Sequence, residues 1–265
     1  MSEEVVLFDV DARGIATARL NRPEVRNAYD GRMLDALASL LQRCESDHRV
    51  RALVLRGNGP VFQAGADLQW LASLSGGSYE ENLEVSRRTA HVFRALLECP
   101  KPVVALVHGG CFGGGVGLVA ACDVAVAASD ARFAITEARW GLLPSIVVPQ
   151  LVGSIGLRNV RRYALSCEPF DAETARSMGL VHEVCDASML DESAAPILEG
   201  LLTSAPNSLS QLKKLAIEQA GAGIDEALFE RLVRMHADKR GSAEAREGLA
   251  SFRDKRPPAW LALPT

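Results

Sequence analysis

The chain has 265 residues, 48% of them hydrophobic and 23% charged, with a formal net charge of −4, which is enough for one large globular domain or a core with an appendage. A mildly negative balance without a polybasic tail excludes a general nucleic-acid or anionic-membrane binder, while single basic groups remain available to a phosphate ligand. The six cysteines (Cys44, Cys99, Cys111, Cys122, Cys167, Cys185) lack C-x-x-C spacing, which predicts buried thiols in a reducing compartment, with neither disulfides nor zinc; an acidic, strand-like start without signal-peptide character points to the cytoplasm.

In chain order, Val5 to Val10 and Gly14 to Leu20 are β-rich runs across Asp11-Ala-Arg13, which predicts a hairpin. Asn21 to Ala28 reads as a polar loop. From Asp30, the apolar residues Met33, Leu34, Leu37, Leu40, Leu41 and Cys44 recur at helical spacing and predict an amphipathic helix lying on a sheet. Val50 to Arg56 predicts another strand, Gly57-Asn-Gly-Pro60 breaks it, and Val61 to Trp70 carries a glycine turn leading towards a helix. Ser75 to Ser78 is small and polar and is expected to form a mobile loop with the character of a lid. Helical periodicity resumes over Tyr79 to Glu98.

Lys101 to Val107 is a β-branched run bounded by breakers, which predicts a short buried strand ending at His108-Gly109-Gly110. Between Phe112 and Asp123, three adjacent glycines lead into a small apolar segment, read as a buried helix with a bare-backbone start. Such a start presents unpartnered N–H groups and a positive dipole end to an anion, although close packing on a sheet explains glycines equally well. Gly115-Val-Gly117-Leu-Val-Ala120 also fits a dinucleotide fingerprint, with Asp130 beyond the next apolar run, Val124 to Ala128. That reading is weakened by the five residues His108 to Phe112 between strand and glycines, where a dinucleotide turn needs its first glycine at once. Ala134 to Gln150 follows. From Val160 the pattern reads as helical almost to the end, through Ile224, Leu228, Leu232 and Met235, so Ala195 to Trp260 is expected to be a helical appendage.

The ordered set of Asn21-Arg-Pro23, Phe62-Gln-Ala-Gly-Ala-Asp-Leu68, Lys101-Pro-Val-Val-Ala105, Gly113-Gly-Gly-Val-Gly117, Cys122-Asp123, Ser242-Ala-Glu-Ala-Arg-Glu-Gly248 and Phe252-Arg-Asp-Lys255 resembles the crotonase (enoyl-CoA hydratase/isomerase) superfamily over essentially the whole chain. The resemblance implies an α/β fold. Residues 1–194 would form a spiral of ββα units holding the coenzyme A and acyl site, and residues 195–265 a helical trimerisation region in a homo-trimer or dimer of trimers. It implies an acyl-CoA substrate, no separate cofactor, no metal, and neither a nucleic-acid nor a membrane partner.

It also implies an oxyanion hole made by the N–H groups of Ala66 and Gly114, aimed at a thioester oxygen. Family members of the best-known type use two glutamates, at positions matching Gly117 and Glu137, so this chain keeps only Glu137. One carboxylate serves either hydration across C2=C3 or transfer of a proton between C2 and C4. The motifs around Trp70, Asp123 and Glu137 look most like the bacterial 3-methylglutaconyl-CoA and isohexenylglutaconyl-CoA hydratases of leucine and acyclic terpene breakdown, which favours hydratase over delta-isomerase. A catalytically silent CoA-binding protein is the alternative of a different class. The resemblance places CoA or substrate contacts at Arg26, Ala28, Ala64, Gly65, Asp67, Leu68, Phe252 and Lys255, with Lys255 reaching a neighbouring subunit's ligand. Trp70, His108, Gly117, Arg139 and Trp140 are candidates for the acyl pocket. Of these, Arg139 or His108 would meet a second substrate carboxylate, and the two tryptophans serve core packing equally well.

Overall fold

The computed structural model describes residues 4–74, 76–219 and 225–261; Ser75 of the expected lid and Ile224 of the helical pattern lie outside the described residues. The chain opens with the expected antiparallel hairpin of β1 (Val6–Val10) and β2 (Ile15–Leu20). Asp11 closes its turn by accepting from the N–H groups of Arg13 and Ile15, each at 2.9 Å. Helix α1 (Gly31–Ser46) buries the six apolar residues that predicted it, and Asp30 caps it by accepting from the Arg32 and Met33 N–H groups. Strand β3 (Ala52–Gly57) runs parallel to β2. Helices α2 (Leu68–Leu74) and α3 (Tyr79–Glu98) follow. Ser78 and Glu81 form a capping box at the start of α3. The described end of the expected lid is therefore tied to a helix rather than loose.

Strand β4 (Val103–Val107) is buried throughout, as its continuous apolar run requires. After it come β5 (Gly110–Phe112), α4 (Gly114–Ala121), β6 (Val124–Ala128), β7 (Arg132–Ala134) and α5 (Val148–Ser166). The rest is not the continuous helix predicted beyond Val160. Strand β8 (Phe170–Asp171), α6 (Ala172–Met178) and β9 (Glu183–Cys185) precede α7 (Leu190–Thr203), α8 (Pro206–Gln219), α9 (Glu226–Arg240) and α10 (Ala243–Arg253). Strands this short carry no readable alternation.

Six strands form the main sheet in the order β1-β2-β3-β4-β6-β9, parallel except for β1; β5, β7 and β8 form a second, small sheet. One face of the main sheet is covered by α1, α3 and α4 around Met33, Phe62, Phe93, Val116 and Leu118. The other face places Ile15, Val54, Val104, Leu106 and Val126 against Leu190, Ala194, Leu198 and Leu202 of α7. The boundary drawn at 194/195 thus falls inside a core helix, and the appended part begins with α8. That part is pinned to the core by Lys213, which pairs at 2.7 Å with Asp123, and by Arg51, which donates to the Trp260 carbonyl at 2.5 Å. Its surface carries exposed Leu212, Phe229, Val233, Leu249 and Phe252. Among the described residues no helix is long and apolar enough to cross a membrane.

Candidate active site

Two glycine turns from distant parts of the chain meet beside the end of β4. The first is carried by residues 61–67. The Phe62 N–H donates to the His108 carbonyl at 2.9 Å, the Gln63 N–H to the Gly110 carbonyl at 3.1 Å, and the Phe112 N–H to the Gln63 carbonyl at 2.8 Å. The buried Asn27 amide reaches across from the loop after β2 and donates to the Asn58, Val61 and Phe62 carbonyls. Two further residues fix the tip. Gln63, fully buried, accepts from the Gly65 N–H at 2.7 Å and donates to the Gly65 carbonyl at 2.9 Å. The Tyr29 N–H donates to the same carbonyl at 2.9 Å, and the Tyr29 carbonyl accepts from the Asp67 N–H at 2.8 Å. Ala66 lies between these bonds. Gly65 has φ of 87°, which only glycine adopts without strain, and a Cβ on it would lie 3.4 Å from the Gly114 nitrogen.

The second turn is Gly113, with φ of 52° and ψ of −125°, at the start of α4. Its N–H donates to the Ala134 carbonyl at 2.8 Å. Among the described residues, neither the Ala66 nor the Gly114 N–H donates to a protein acceptor. Two unpartnered backbone donors, one of them at a helix N-terminus, therefore open side by side, an arrangement suited to an oxygen that gains negative charge.

Glu137 reaches this point from β7. It begins the single turn of 3-10 helix Glu137–Trp140, which Gly141 ends at φ of 70°. Its carboxylate lies against the second turn, since a Cβ on Gly113 would be 3.4 Å from Glu137 Oε1. The Oε2 atom is buried with no hydrogen-bond partner among the described residues. Burial raises the pKa of the carboxyl above its ordinary value, against a weaker opposing pull from the Glu137 and Thr136 backbone. A carboxylate with a free oxygen and a raised pKa beside an oxyanion site can accept and return a proton.

Gly117 is a closed position. A Cβ there would fall 2.5 Å from Val147 Cγ1 and 3.1 Å from Phe93 Cε1, and both residues are buried. The room a second carboxylate would need is filled by hydrocarbon. Tyr29 completes this wall, its ring edge-on to Trp70 and Phe93 at centroid distances of 6.5 and 6.1 Å. Trp70 thus packs against the Tyr29 ring, whereas Trp140 is 58% exposed on the turn after Glu137.

The other predicted residues fall into distinct groups. Arg26 and Asn27 both have φ of 56°, and the Arg26 carbonyl accepts from the Ala64 N–H at 3.0 Å, so Arg26, Ala28 and Ala64 edge the first turn. Leu68 is exposed at the start of α2. Asp67 is occupied structurally: it caps α2 through the Gln69 and Trp70 N–H groups and pairs at 3.1 Å with buried Arg22, which also pairs with Asp30 at 3.2 Å. The Arg139 guanidinium donates to the Cys167 carbonyl at 3.0 Å and the His108 ring bonds the Gly59 carbonyl at 2.9 Å. Both candidate cations are thus engaged with main chain. Phe252, 86% exposed, and Lys255 lie at the end of α10. Sequence reasoning passed over Arg22, Tyr29, Gln63, Phe93 and Val147; the Asn21-Arg-Pro23 motif was the available signal for the first of them.

The six cysteines are free thiols, and burial pushes that of Cys44 up to about 12. Among the described residues no group of His, Cys, Asp and Glu is placed to hold a metal ion.

Residues 11–262 match the family model described as enoyl-CoA hydratase/isomerase. A crystal structure of an enoyl-CoA hydratase from Shewanella pealeana superposes with a TM-score of 0.93 at 32% identity, covering 97% of this chain and 96% of that one. AtuE of Pseudomonas aeruginosa gives a TM-score of 0.91 at 36% identity, covering 98% of this chain and all of that one. The mitochondrial Delta(3,5)-Delta(2,4)-dienoyl-CoA isomerase of Dictyostelium discoideum is 30% identical over 261 residues, 94% of this chain and 88% of that protein. The chain is an enzyme of the enoyl-CoA hydratase type, and it belongs to the enoyl-CoA hydratase/isomerase family.

Proposed function

We propose that the protein is a cytoplasmic hydratase adding water across the C2=C3 bond of an enoyl-CoA, with Glu137 as its one proton-handling carboxylate. The observation that carries this reading is the buried, unpartnered Glu137 oxygen beside two unpartnered N–H groups. With the thioester oxygen between the Ala66 and Gly114 donors, Glu137 takes a proton from water as the water oxygen bonds to C3. The C2=C3 electron pair moves to C2 and is held as an enolate. Glu137 then returns its proton to C2, so that one water is added and the carboxylate is regenerated. A well-placed donor in such a hole contributes roughly 3–4 kcal/mol.

A second reading has its own support. Filling of the 117 position by Val147 and Phe93 leaves a one-carboxylate chamber, and moving a double bond between the C2=C3 and C3=C4 positions needs only one group to carry a proton between C2 and C4. Within the hydratase reading, the substrate class is a branched glutaconyl-type acyl-CoA, a choice that rests on motif similarity around Trp70, Asp123 and Glu137 alone. The exposed apolar residues of α8–α10 support assembly into a trimer or dimer of trimers, in which Phe252 and Lys255 would serve a neighbouring subunit's ligand.

The test is product analysis by mass over straight, branched and glutaconyl-type enoyl-CoA thioesters. Gain of one water, greatest with the branched glutaconyl members, supports the proposal. A shifted double bond without added water establishes the isomerase. Thioester binding without turnover identifies a silent family member.

A further inference from the structure

Tyr29 does more than brace the first turn. Its main chain brackets Ala66 through the bonds to Gly65 and Asp67, while its side chain crosses to the second turn. There the phenol oxygen lies 3.0 Å from where a Cβ on Gly114 would sit. Trp70 and Phe93 pack edge-on against the ring and hold it in place. It forms no hydrogen bond with the described residues, yet it is absent from the sealed, unpartnered polar atoms, which include Glu137 Oε2. A hydroxyl that is neither paired nor walled off is accessible beside the second turn. Burial, reinforced by the negative charge of Glu137, keeps the phenol protonated far above neutral pH. In that state it is a donor and not a base.

We infer that the Tyr29 hydroxyl is a third donor of the oxyanion site, joining the Ala66 and Gly114 N–H groups on the thioester oxygen as that oxygen takes up enolate charge. This deepens the proposed function and rests on its enolate, which hydration and isomerisation share. It also accounts for a single-carboxylate chamber: a third donor lowers the energy of the charged species that one base must form unaided.

The experiment compares wild-type and Tyr29→Phe protein as full chains, using two thioesters. Acetoacetyl-CoA presents a stabilised enolate and is read by its enolate absorbance, whereas butyryl-CoA is neutral and saturated. Removing one hydrogen bond to a charged oxygen is expected to weaken enolate binding about 10- to 100-fold, with less than about a twofold change for butyryl-CoA. Fluorotyrosine incorporated at position 29 retains ring and hydroxyl but has a more acidic O–H, and should tighten the enolate complex; it serves also if Tyr29→Phe fails to fold. Equal losses for both thioesters, or no loss for either, overturn the inference, as does fluorotyrosine binding no tighter than tyrosine. These binding readouts are independent of the product formed. A selective enolate loss in a protein that does not hydrate therefore sinks the hydratase reading and leaves the third donor standing.

Discussion

The Tyr29 ring occupies the space in which a side chain on Gly114 would begin: a Cβ there would lie 2.7 Å from Tyr29 Cε1 and 3.0 Å from its hydroxyl oxygen. Residue 114 must therefore be glycine for a packing reason. Gly114→Ala is expected to displace the ring and with it the first turn, which Tyr29 holds from its main chain. Activity should fall by roughly 10²- to 10³-fold, the loss found when an oxyanion donor is removed. Overpacking should destabilise the fold by about 1–3 kcal/mol. Steady-state kinetics beside denaturant unfolding separates the two effects.

Glu137→Gln should abolish proton transfer, a loss of about 10²- to 10⁴-fold in kcat, and yet stabilise the protein at neutral pH. Below the ordinary glutamate pKa the carboxyl is protonated in both folded and unfolded chains and its burial carries no penalty. As pH rises through that value and then through the raised folded pKa, the unfolded chain ionises more readily and stability is lost. The melting temperature of the variant should thus exceed that of wild type at neutral pH and converge with it in acid. In the wild type, the acid limb of kcat/KM should lie above the usual carboxylate range.

Gly117→Glu is not expected to restore a two-carboxylate mechanism. Its side chain would start inside Val147 and place a charge among Val147 and Phe93. An uncompensated buried charge costs about 3–5 kcal/mol. Chemical denaturation should show a loss of that size, with no gain in turnover.

Gln63→Ala removes both bonds that grip Gly65 and leaves a buried N–H unpaired. The expected destabilisation is about 1–3 kcal/mol. Because the grip sets where Ala66 presents its N–H, kcat should fall more than CoA-ester affinity does, which paired turnover and binding measurements would reveal.

Periodic elements were legible in the sequence because one segment decides them: α1 repeats at helical spacing over sixteen residues, and β4 is an unbroken apolar run. Strands β5, β7, β8 and β9 have only two or three residues each and exist because neighbours pair with them. The two glycine turns and Glu137 were readable as motifs. What completes the chamber was not, since Tyr29 and Gly114 stand 85 positions apart in the chain, and Val147 comes from a segment with no pattern of its own. Arg22 and Asn27, read as part of a polar loop, are buried because their side chains satisfy carboxylates and carbonyls of other segments.

The central claim is that Glu137 alone carries the proton between water and C2. It is tested most directly by turning over a reactive enoyl-CoA in deuterium oxide with wild-type and Glu137→Gln protein and locating deuterium in the product. The account predicts a hydrated wild-type product with one deuterium at C2, and both hydration and exchange at C2 slowed by about 10²- to 10⁴-fold in the variant. Hydration by Glu137→Gln at a rate near that of wild type would contradict it.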